Sequence, residues 1–388
     1  MKILVVDDEP DLEALVRQKF RRHIRSKEFE FIFARHGAEA LDYLRADRDI
    51  ELVLTDINMP VMDGLTLLTH LGDLNPILQA VIISAYGDMQ NIRTAMNLGA
   101  FDFLTKPINL DDLTLTIDKT VRQLHLQKQA LHEHDQLLAI KHELQIATHI
   151  QQATLPRRFP PFPERHEFDL YAEMIPAREV GGDFYDFFLL DETRLGLVIG
   201  DVSGKGVPAA LLMATSRMLV KSIALSQAHA AACLQQVNRL LAADNDSMLF
   251  ISLVYGILHL QSGALEYCNA GHHAPYVLGA DGTLTALPTT RGLVLGLDEQ
   301  FVYTANTISV APGSTLLLYT DGIPEAFNRQ GAIFSVERLE AHLRQAAGQA
   351  PQELLQGIVQ AVREFAAGAP QSDDLTLLAV TYGGASAR

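Results

Sequence analysis

Apolar positions along the first 120 residues fall into short runs separated by stretches of helical spacing. The runs are Ile3 to Val6, Glu30 to Phe33, Leu52 to Thr55, Ala80 to Ser84 and Phe103 to Leu104, with helices predicted between them, as over Asp11 to Phe20 and Gln90 to Leu98. Strands alternating with amphipathic helices predict βα units and a doubly wound, five-stranded parallel sheet of flavodoxin type, with functional groups at the carboxyl ends of the strands. From Leu110 to Leu155 the pattern changes. No Gly or Pro interrupts this stretch, and Leu110, Ile117, Leu124, Leu131 and Leu138 recur every seventh residue. A helix of this length runs on the order of 60 Å at ~1.5 Å per residue, and a seven-residue apolar row predicts one seam buried against a partner helix. Polar residues stand where the second apolar row belongs (Thr114, Lys128, Asp135, His142), and after Leu138 the seam shifts to Leu137, Ile140, Leu144 and Ala147. The expectation is a marginal, adjustable homodimer helix.

Prolines between Pro156 and Pro163 end that helix and form a stiff connector. Beyond it come short strands punctuated by Gly: Leu195 to Ile199, Phe250 to Leu258, Leu265 to Cys268, Ala274 to Leu278, Ser314 to Tyr319 and Leu375 to Val380. Long helices are predicted over Pro208 to Ala224 and Pro351 to Ala366, giving an α+β fold with an antiparallel β-sandwich flanked by helices. The expected division is 1–121, a linker over 122–157, and 158–388.

Composition narrows the function. A net charge of −16 and no basic recognition helix argue against nucleic acid as a partner. Two cysteines, Cys233 and Cys268, both in apolar runs, suit a reducing cytosol. The chain opens on a strand pattern and not a signal peptide, and no apolar run approaches a membrane span of about 18 residues, so a soluble cytoplasmic protein is expected.

Chemistry sits at the predicted strand ends. Asp7 and Asp8 follow the first strand, Asp56 the third, Ser84 the fourth and Lys106-Pro107 the fifth. Three carboxylates at one sheet edge repel one another unless a cation holds them, and oxygen ligands alone suit Mg²⁺. A carboxylate beside Mg²⁺ is a workable nucleophile toward a phosphoryl group; Lys106 would neutralise the new charge and Ser84 would hydrogen-bond to it. Asp11 reads as a plain helix cap.

This set, with Asp56-Ile-Asn-Met-Pro60 and Asp63-Gly64, resembles the receiver domain of two-component response regulators across nearly all of 1–121. The resemblance implies that Asp56 is phosphorylated by a cognate histidine kinase or phosphotransfer protein. It also implies that Asp7, Asp8, Asp56 and the Asn58 carbonyl form the Mg²⁺ site, with Ser84, Phe103 and Lys106 as switch residues and a cis Lys106–Pro107 bond.

Four acidic motifs mark strand ends in the C-terminal part: Gly181-Gly-Asp-Phe-Tyr-Asp186, Gly200-Asp-Val-Ser-Gly-Lys-Gly206, Tyr319-Thr-Asp-Gly322 and Ser372-Asp-Asp374. Glycine beside an acid lets backbone approach closely. Carboxylates converging from four segments stay ionised together when divalent metals hold them, and without a Cys/His cluster Mg²⁺ or Mn²⁺ is favoured over Zn²⁺. Such a two-metal site activates water and clamps phosphate oxygens for in-line attack. Asp281-Gly282, by contrast, reads as a hairpin turn.

These motifs, with Asn269-Ala-Gly-His-His273 and the helix end from Glu143 through Ile150-Gln151 to Leu155-Pro156, resemble the metal-dependent (type 2C, PPM) serine/threonine protein phosphatases, in the bacterial SpoIIE/RsbU branch, over about 140–383. By that resemblance Asp201 bridges two metals with the Val202 carbonyl on one, Asp321 and Asp373 hold the other, and Asp183 acts largely through water. Asp374, Arg178 (phosphate grip) and His272 (leaving-group acid) are secondary candidates, since Ser203 stands where eukaryotic members carry a histidine. The implied protein is a response regulator that dephosphorylates a STAS-type anti-anti-sigma partner; the weak seam of the long helix, which must be tightened, predicts that phosphorylation activates. The alternative, a scaffold with a dead phosphatase domain, is disfavoured because Asp183, Asp201, Asp321 and Asp373 are all present.

Overall fold

The computed structural model describes residues 1–75, 77–85, 87–243 and 245–384. The chain divides into two compact units, Met1–Ile140 and Lys141–Arg388. In the first unit the elements are β1 (Lys2–Val6), α1 (Pro10–Lys19), α2 (Arg21–Arg25), β2 (Glu30–Ala34), α3 (Gly37–Ala46), β3 (Ile50–Asp56), α4 (Gly64–Leu74), β4 (Gln79–Ala85), α5 (Met89–Asn97), β5 (Asp102–Lys106) and the start of α6 (Leu110–Thr154). The five strands pair in parallel in the order β2-β1-β3-β4-β5. The expected doubly wound sheet is present. β1 and β3 are buried on both faces, which is why they read as unbroken apolar runs. Asp11 is not the cap of α1: Glu9 holds that position and Asp11 lies in the first turn.

The long helix is real, but its apolar row has two destinations. Leu113 and Ile117 are buried in the core formed by Ile3, Val5, Leu52, Leu54 and Leu104, and Leu124 farther along is buried as well. That half of the predicted seam is therefore closed within the unit and faces no partner helix. Leu131 and Leu138 are exposed, as are Leu126, Leu137 and Ile140.

In the second unit follow β6 (Phe168–Ile175), β7 (Phe184–Leu189), β8 (Arg194–Val202), α7 (Val207–Ala224), α8 (Ala230–Ala243), β9 (Ile251–His259), β10 (Ala264–Ala270), β11 (Tyr276–Leu278), β12 (Leu284–Ala286), β13 (Asn306–Ser309), β14 (Thr315–Tyr319), α9 (Val336–Gln345), α10 (Pro351–Ala366) and β15 (Leu375–Tyr382). They build two antiparallel sheets, β13-β10-β9-β8-β7 and β12-β11-β14-β15-β6. Helices α7 and α8 cover the first sheet, α9 and α10 the second, and β7 and β8 meet β6 and β15 across the middle. The predicted sandwich stands. The sandwich also contains β6 and β7, strands beyond those the pattern predicts; in β7 every residue from Phe184 to Phe188 is buried, so the two-residue alternation that signals a strand is missing. The turn at Asp281-Gly282 joins β11 to β12 as expected, with Gly282 at φ +85.

One expectation from hydropathy fails. Helix α7 has 18 residues at a mean hydropathy of 1.3, which is long and apolar enough to cross a membrane on length and composition. Its apolarity has another use here, since Ala209, Met213 and Val220 sit in the sandwich core. Buried Arg217 on the same helix pairs with Asp186 of β7 at 2.9 Å. Asp186, the second acid of the Gly181–Asp186 motif, is thus spent on holding α7 to the sheet.

The divided seam makes a test. Ile117→Ala should lower the opening free energy of β1 and β3 amides in hydrogen exchange by about 2–5 kcal/mol, as for other emptied core sites. Leu131→Ala should leave it within about 0.5 kcal/mol, as for an exposed side chain.

Candidate functional site

Two acidic sites form, one in each unit. In the first, β1 delivers Asp7 and Asp8, β3 ends on Asp56 and β5 ends on Lys106. Among the described residues, Asp7, Asp8 and Asp56 are the one acidic group whose ligand atoms all lie within 4.8 Å of one another. Lys106 Nζ lies 2.7 Å from Asp56 Oδ2, 3.1 Å from Asp7 Oδ2 and 3.5 Å from Glu9 Oε1. The Asp7 contact is close but poorly aligned, so this buried oxygen has no hydrogen-bond donor and is free to face a cation.

Burial pushes the Asp7 carboxyl up, partly offset by the Glu9 N–H and by Lys106. Burial alone would pull the Lys106 ammonium down, but its hydrogen bond to Asp56 and the charges of Asp56 and Asp7 outweigh that and hold it above its ordinary value. One ammonium against three carboxylates leaves negative charge uncompensated, and the all-oxygen donor set fits a hard divalent cation. The Asn58 amide donates to Asp56 Oδ1 at 3.3 Å, which keeps its residue close enough to offer its carbonyl.

The neighbouring motif residues serve the backbone. Asp63 caps α4 by accepting the Thr66 N–H at 2.7 Å. A Cβ on Gly64 would lie 2.1 Å from the Asp56 carbonyl oxygen, so only glycine fits. Ser84 is fully buried and its hydroxyl is 3.5 Å from Asp88, not on Asp56. Phe103 is exposed, and the Lys106–Pro107 bond is cis.

The second site straddles both sheets. Asp183 precedes β7 and Asp201 lies near the end of β8 in one sheet; Asp321 follows β14 and Asp373 and Asp374 precede β15 in the other. Asp183 is buried and its Oδ2 accepts the Thr320 hydroxyl at 2.7 Å. Burial drives the Asp183 carboxyl well up, reinforced by the charges of Asp201 and Asp374. Asp201 is pushed up to about 7, first by burial and then by the charge of Asp321. Burial also raises Asp321, with Glu325 and Asp373 adding to it. Carboxylates that burial and mutual repulsion push toward protonation are a donor set that fits divalent cations.

Two residues of this site differ from expectation. Asp374 is a framework residue: its Oδ1 accepts the Ala177 N–H at 2.8 Å and its Oδ2 the Gly182 N–H at 2.9 Å. A Cβ on Gly181 would lie 2.1 Å from that Oδ2, and one on Gly322 would lie 1.9 Å from the Asp374 carbonyl oxygen. His272 is not placed as a leaving-group acid. Its Nε2 lies 3.1 Å from the Tyr319 carbonyl and its Nδ1 2.7 Å from the Ser252 hydroxyl, so both nitrogens are taken. Desolvation, with the neighbouring His273, pulls it down to about 3. Ser203 is also occupied, accepting the Phe250 N–H at 2.8 Å.

Arg178 is exposed and lines a narrow cleft with Asp201, Lys205 and Asp373. Sequence reasoning passed over Lys205, whose Nζ lies 2.8 Å from Asp373 Oδ2 and donates to the Ser372 carbonyl at 2.7 Å. Its place between two glycines of the Asp201 motif was the available signal.

Comparison with known proteins agrees with this geometry. The response regulator receiver domain family matches residues 3–118, and the stage II sporulation protein E (SpoIIE) family matches residues 191–383. The chain joins a response regulator receiver domain to a SpoIIE domain. Protein IcfG of Synechocystis sp. is 31% identical over 265 residues, covering 61% of this chain and 41% of that one. The phosphoserine phosphatase RsbU of Bacillus subtilis is 28% identical over 226 residues, covering 57% of this chain and 66% of that one. This chain thus spans less than two thirds of either relative. The SiaA PP2C domain of Pseudomonas aeruginosa shares the fold, with a TM-score of 0.57 at 24% identity over 63% of this chain and 98% of that one. Asp201, Asp321 and Asp373 lie inside the SpoIIE match, whereas Arg178 and Asp183 precede it.

The SpoIIE domain carries a titration test. The His272 ring is held at about 3 against an ordinary 6.5, so the unfolded chain takes up the proton first. Its contribution is complete above pH 6.5 and is lost as pH falls toward 3. The loss is at most about 1.4 kcal/mol per pH unit. The acids of the site shift stability the other way and are common to both chains, so the test is a difference: in urea unfolding between pH 7 and pH 5, the stability of the wild type minus that of a His272→Asn variant should fall as pH falls, by no more than that slope.

Proposed function

We propose that this protein is a phosphorylation-controlled response regulator whose SpoIIE domain hydrolyses phosphoserine or phosphothreonine on a protein partner. The observation carrying this reading is the acid set drawn from both sheets, with Asp183 and Asp201 pushed toward protonation by burial and by each other's neighbours. The similarity to RsbU, a phosphoserine phosphatase, supports the reaction class.

In this reading Asp201, with the Val202 carbonyl, Asp321 and Asp373 hold two Mn²⁺ or Mg²⁺ ions, and Asp183 acts through water. Bound there, the ions would supply an acidified water and neutralise charge on the phosphate oxygens. Thr320 fixes the Asp183 carboxylate, Asp374 fixes the loop beneath it, and Arg178 at the cleft mouth would grip the incoming phosphate. In the receiver, Asp7, Asp8, Asp56 and the Asn58 carbonyl would hold Mg²⁺, Asp56 would accept a phosphoryl group from a histidine kinase or phosphotransfer protein, and Lys106 would neutralise it. Ser84 and Phe103 would carry the switch.

The domains are taken as 1–121, 122–157 and 158–388. We place the protein in the cytoplasm and give it a STAS-type anti-anti-sigma substrate, the substrate class that the resemblance to the SpoIIE/RsbU branch implies. The exposed Leu131, Leu137, Leu138 and Ile140 support a homodimer through α6, and phosphorylation would tighten it to activate the enzyme.

Hydrolysis of an aryl phosphate in Mn²⁺ tests the core of this. Asp201→Asn should lower turnover by more than the roughly 10–100-fold typical of losing a supporting partner at a metal site. Beryllofluoride should raise wild-type turnover and leave an Asp56→Asn chain unchanged. Absence of Mn²⁺-dependent turnover and of Mn²⁺ binding by calorimetry would refute the enzyme. A monomer in equilibrium sedimentation with and without beryllofluoride would remove the dimer.

A further inference from the structure

The last turns of α6 run alongside the segment that delivers Asp183; they grip it at two places, and the connector just after the helix holds it at a third. The Thr148 hydroxyl donates to the Glu179 carbonyl. The carboxamide of Gln151 makes two bonds to one residue: its Nε2 donates to the Gly181 carbonyl at 2.6 Å, and its Oε1 accepts the Gly181 N–H at 3.1 Å. Farther on, the Tyr185 hydroxyl donates to the Pro156 carbonyl at 2.8 Å. Asp183 lies between the second and third of these points. Gln151 is buried, and Leu155 beside it is set into the sandwich core, so this end of the helix is anchored to the domain.

A side-chain amide bonded to both the N–H and the C=O of one residue imitates a neighbouring β-strand. It satisfies two backbone groups that would otherwise be buried without partners. On the opposite side the same turn is held by Asp374, which accepts from Gly182. The absence of a Cβ on Gly181 is what lets that carboxylate come so near. The turn before Asp183 is therefore clasped between a helix side chain and a carboxylate from the other sheet. Of the two, only the helix side chain belongs to an element that continues back to the receiver in sequence.

We propose that Gln151 is a positioning residue through which the end of α6 sets the place of Asp183 in the acidic site. This deepens the proposed function and rests on its reading of Asp183 as a member of the metal site. A turn or slide of the helix end that withdraws the carboxamide frees the Gly181–Gly182 turn. Asp183 then loses the backbone that aims it, while the fold around it remains.

The test uses the full chain with Gln151→Met, which keeps volume but neither bond, and Gln151→Glu. The carboxylate of the latter accepts from the Gly181 N–H but faces the Gly181 carbonyl without a proton to donate. Acidification restores that donor. In the metal-free protein, hydrogen exchange of the 179–183 segment should accelerate in Gln151→Met and stay at the wild-type rate in Asp201→Asn. The Mn²⁺ concentration for half-maximal binding in calorimetry should rise about 10-fold or more in Gln151→Met, with KM for the aryl phosphate changing less. Relative to wild type at the same pH, Gln151→Glu should resemble Gln151→Met at pH 8 and recover toward wild type at pH 5.5.

Unchanged exchange in Gln151→Met, or unchanged Mn²⁺ affinity in a chain whose wild type binds Mn²⁺ through Asp201, would overturn the inference alone. A wild type that neither binds Mn²⁺ nor turns over substrate would overturn it together with the proposed function.

Discussion

Like charges brought into a low-dielectric sheet edge are the constraint on which both sites depend. Two buried carboxylates a few ångströms apart cannot both stay ionised without a compensating cation, and the two domains meet this differently. In the receiver much of the compensation is built in: one Lys106 ammonium touches Asp56, Asp7 and Glu9. In the SpoIIE domain the recorded lysine contact reaches Asp373, at the rim, while Asp183 and Asp201 are left to burial and to each other. In the proposed reading, a phosphoryl group on Asp56 would exchange one charge for another beside a cation already in place. The second is incomplete as a set of charges until cations complete it.

Holding such acids in place requires backbone to come unusually near, and glycine makes that approach available. Gly64 lies against the Asp56 carbonyl, Gly182 against the Val202 carbonyl and Gly322 against the Asp374 carbonyl, each too close for any Cβ. The acid-glycine pairs that mark these motifs are therefore half chemistry and half packing. Asp374 carries the point furthest. It looks like a ligand in sequence, yet both its oxygens are used to receive backbone N–H groups of the segment leading to Asp183. A carboxylate with its lone pairs turned to amides is a brace, and its neighbour Asp373 remains open to the cleft.

Periodicity revealed both folds because each sheet face has to be covered, and the residues that cover it must recur at the spacing of the element. It could not reveal what does the covering. The heptad row Leu110 to Leu138 is genuine, but Ile117 is taken up by the receiver core and Leu124 is buried too, so only the later members stay exposed. Helix α7 likewise has the hydropathy of a membrane span because it is sunk between a sheet and α8, around a buried Arg217–Asp186 pair that hydropathy cannot sense. Residue type and motif order pointed to acids that the fold does gather, Asp7, Asp8 and Asp56 beside Lys106 in one domain and Asp201 near Asp321 in the other. They did not separate brace from ligand, nor reveal that His272 is locked between Ser252 and Tyr319. Those distinctions lie in which lone pairs and protons are already taken, a matter of three-dimensional partners.

Helix α6 brings these points together. Its first turns are fixed by Leu113, Ile117 and Leu124 and its last by Gln151 and Leu155, whereas residues 125–143 are exposed throughout. A helix gains most of its stability from packing an apolar face, and one with a bare middle is held there by propensity alone. Such a rod transmits rotation poorly until something covers Leu131, Leu138 and Ile140. A second copy of the same helix would supply that cover, and its docking would stiffen the rod without any new contact at the distant acids. Stiffening would then act at the far end by holding the Gln151 carboxamide against Gly181, and on the proposed reading a change in charge at Asp56 would reach Asp183 as a change in backbone position.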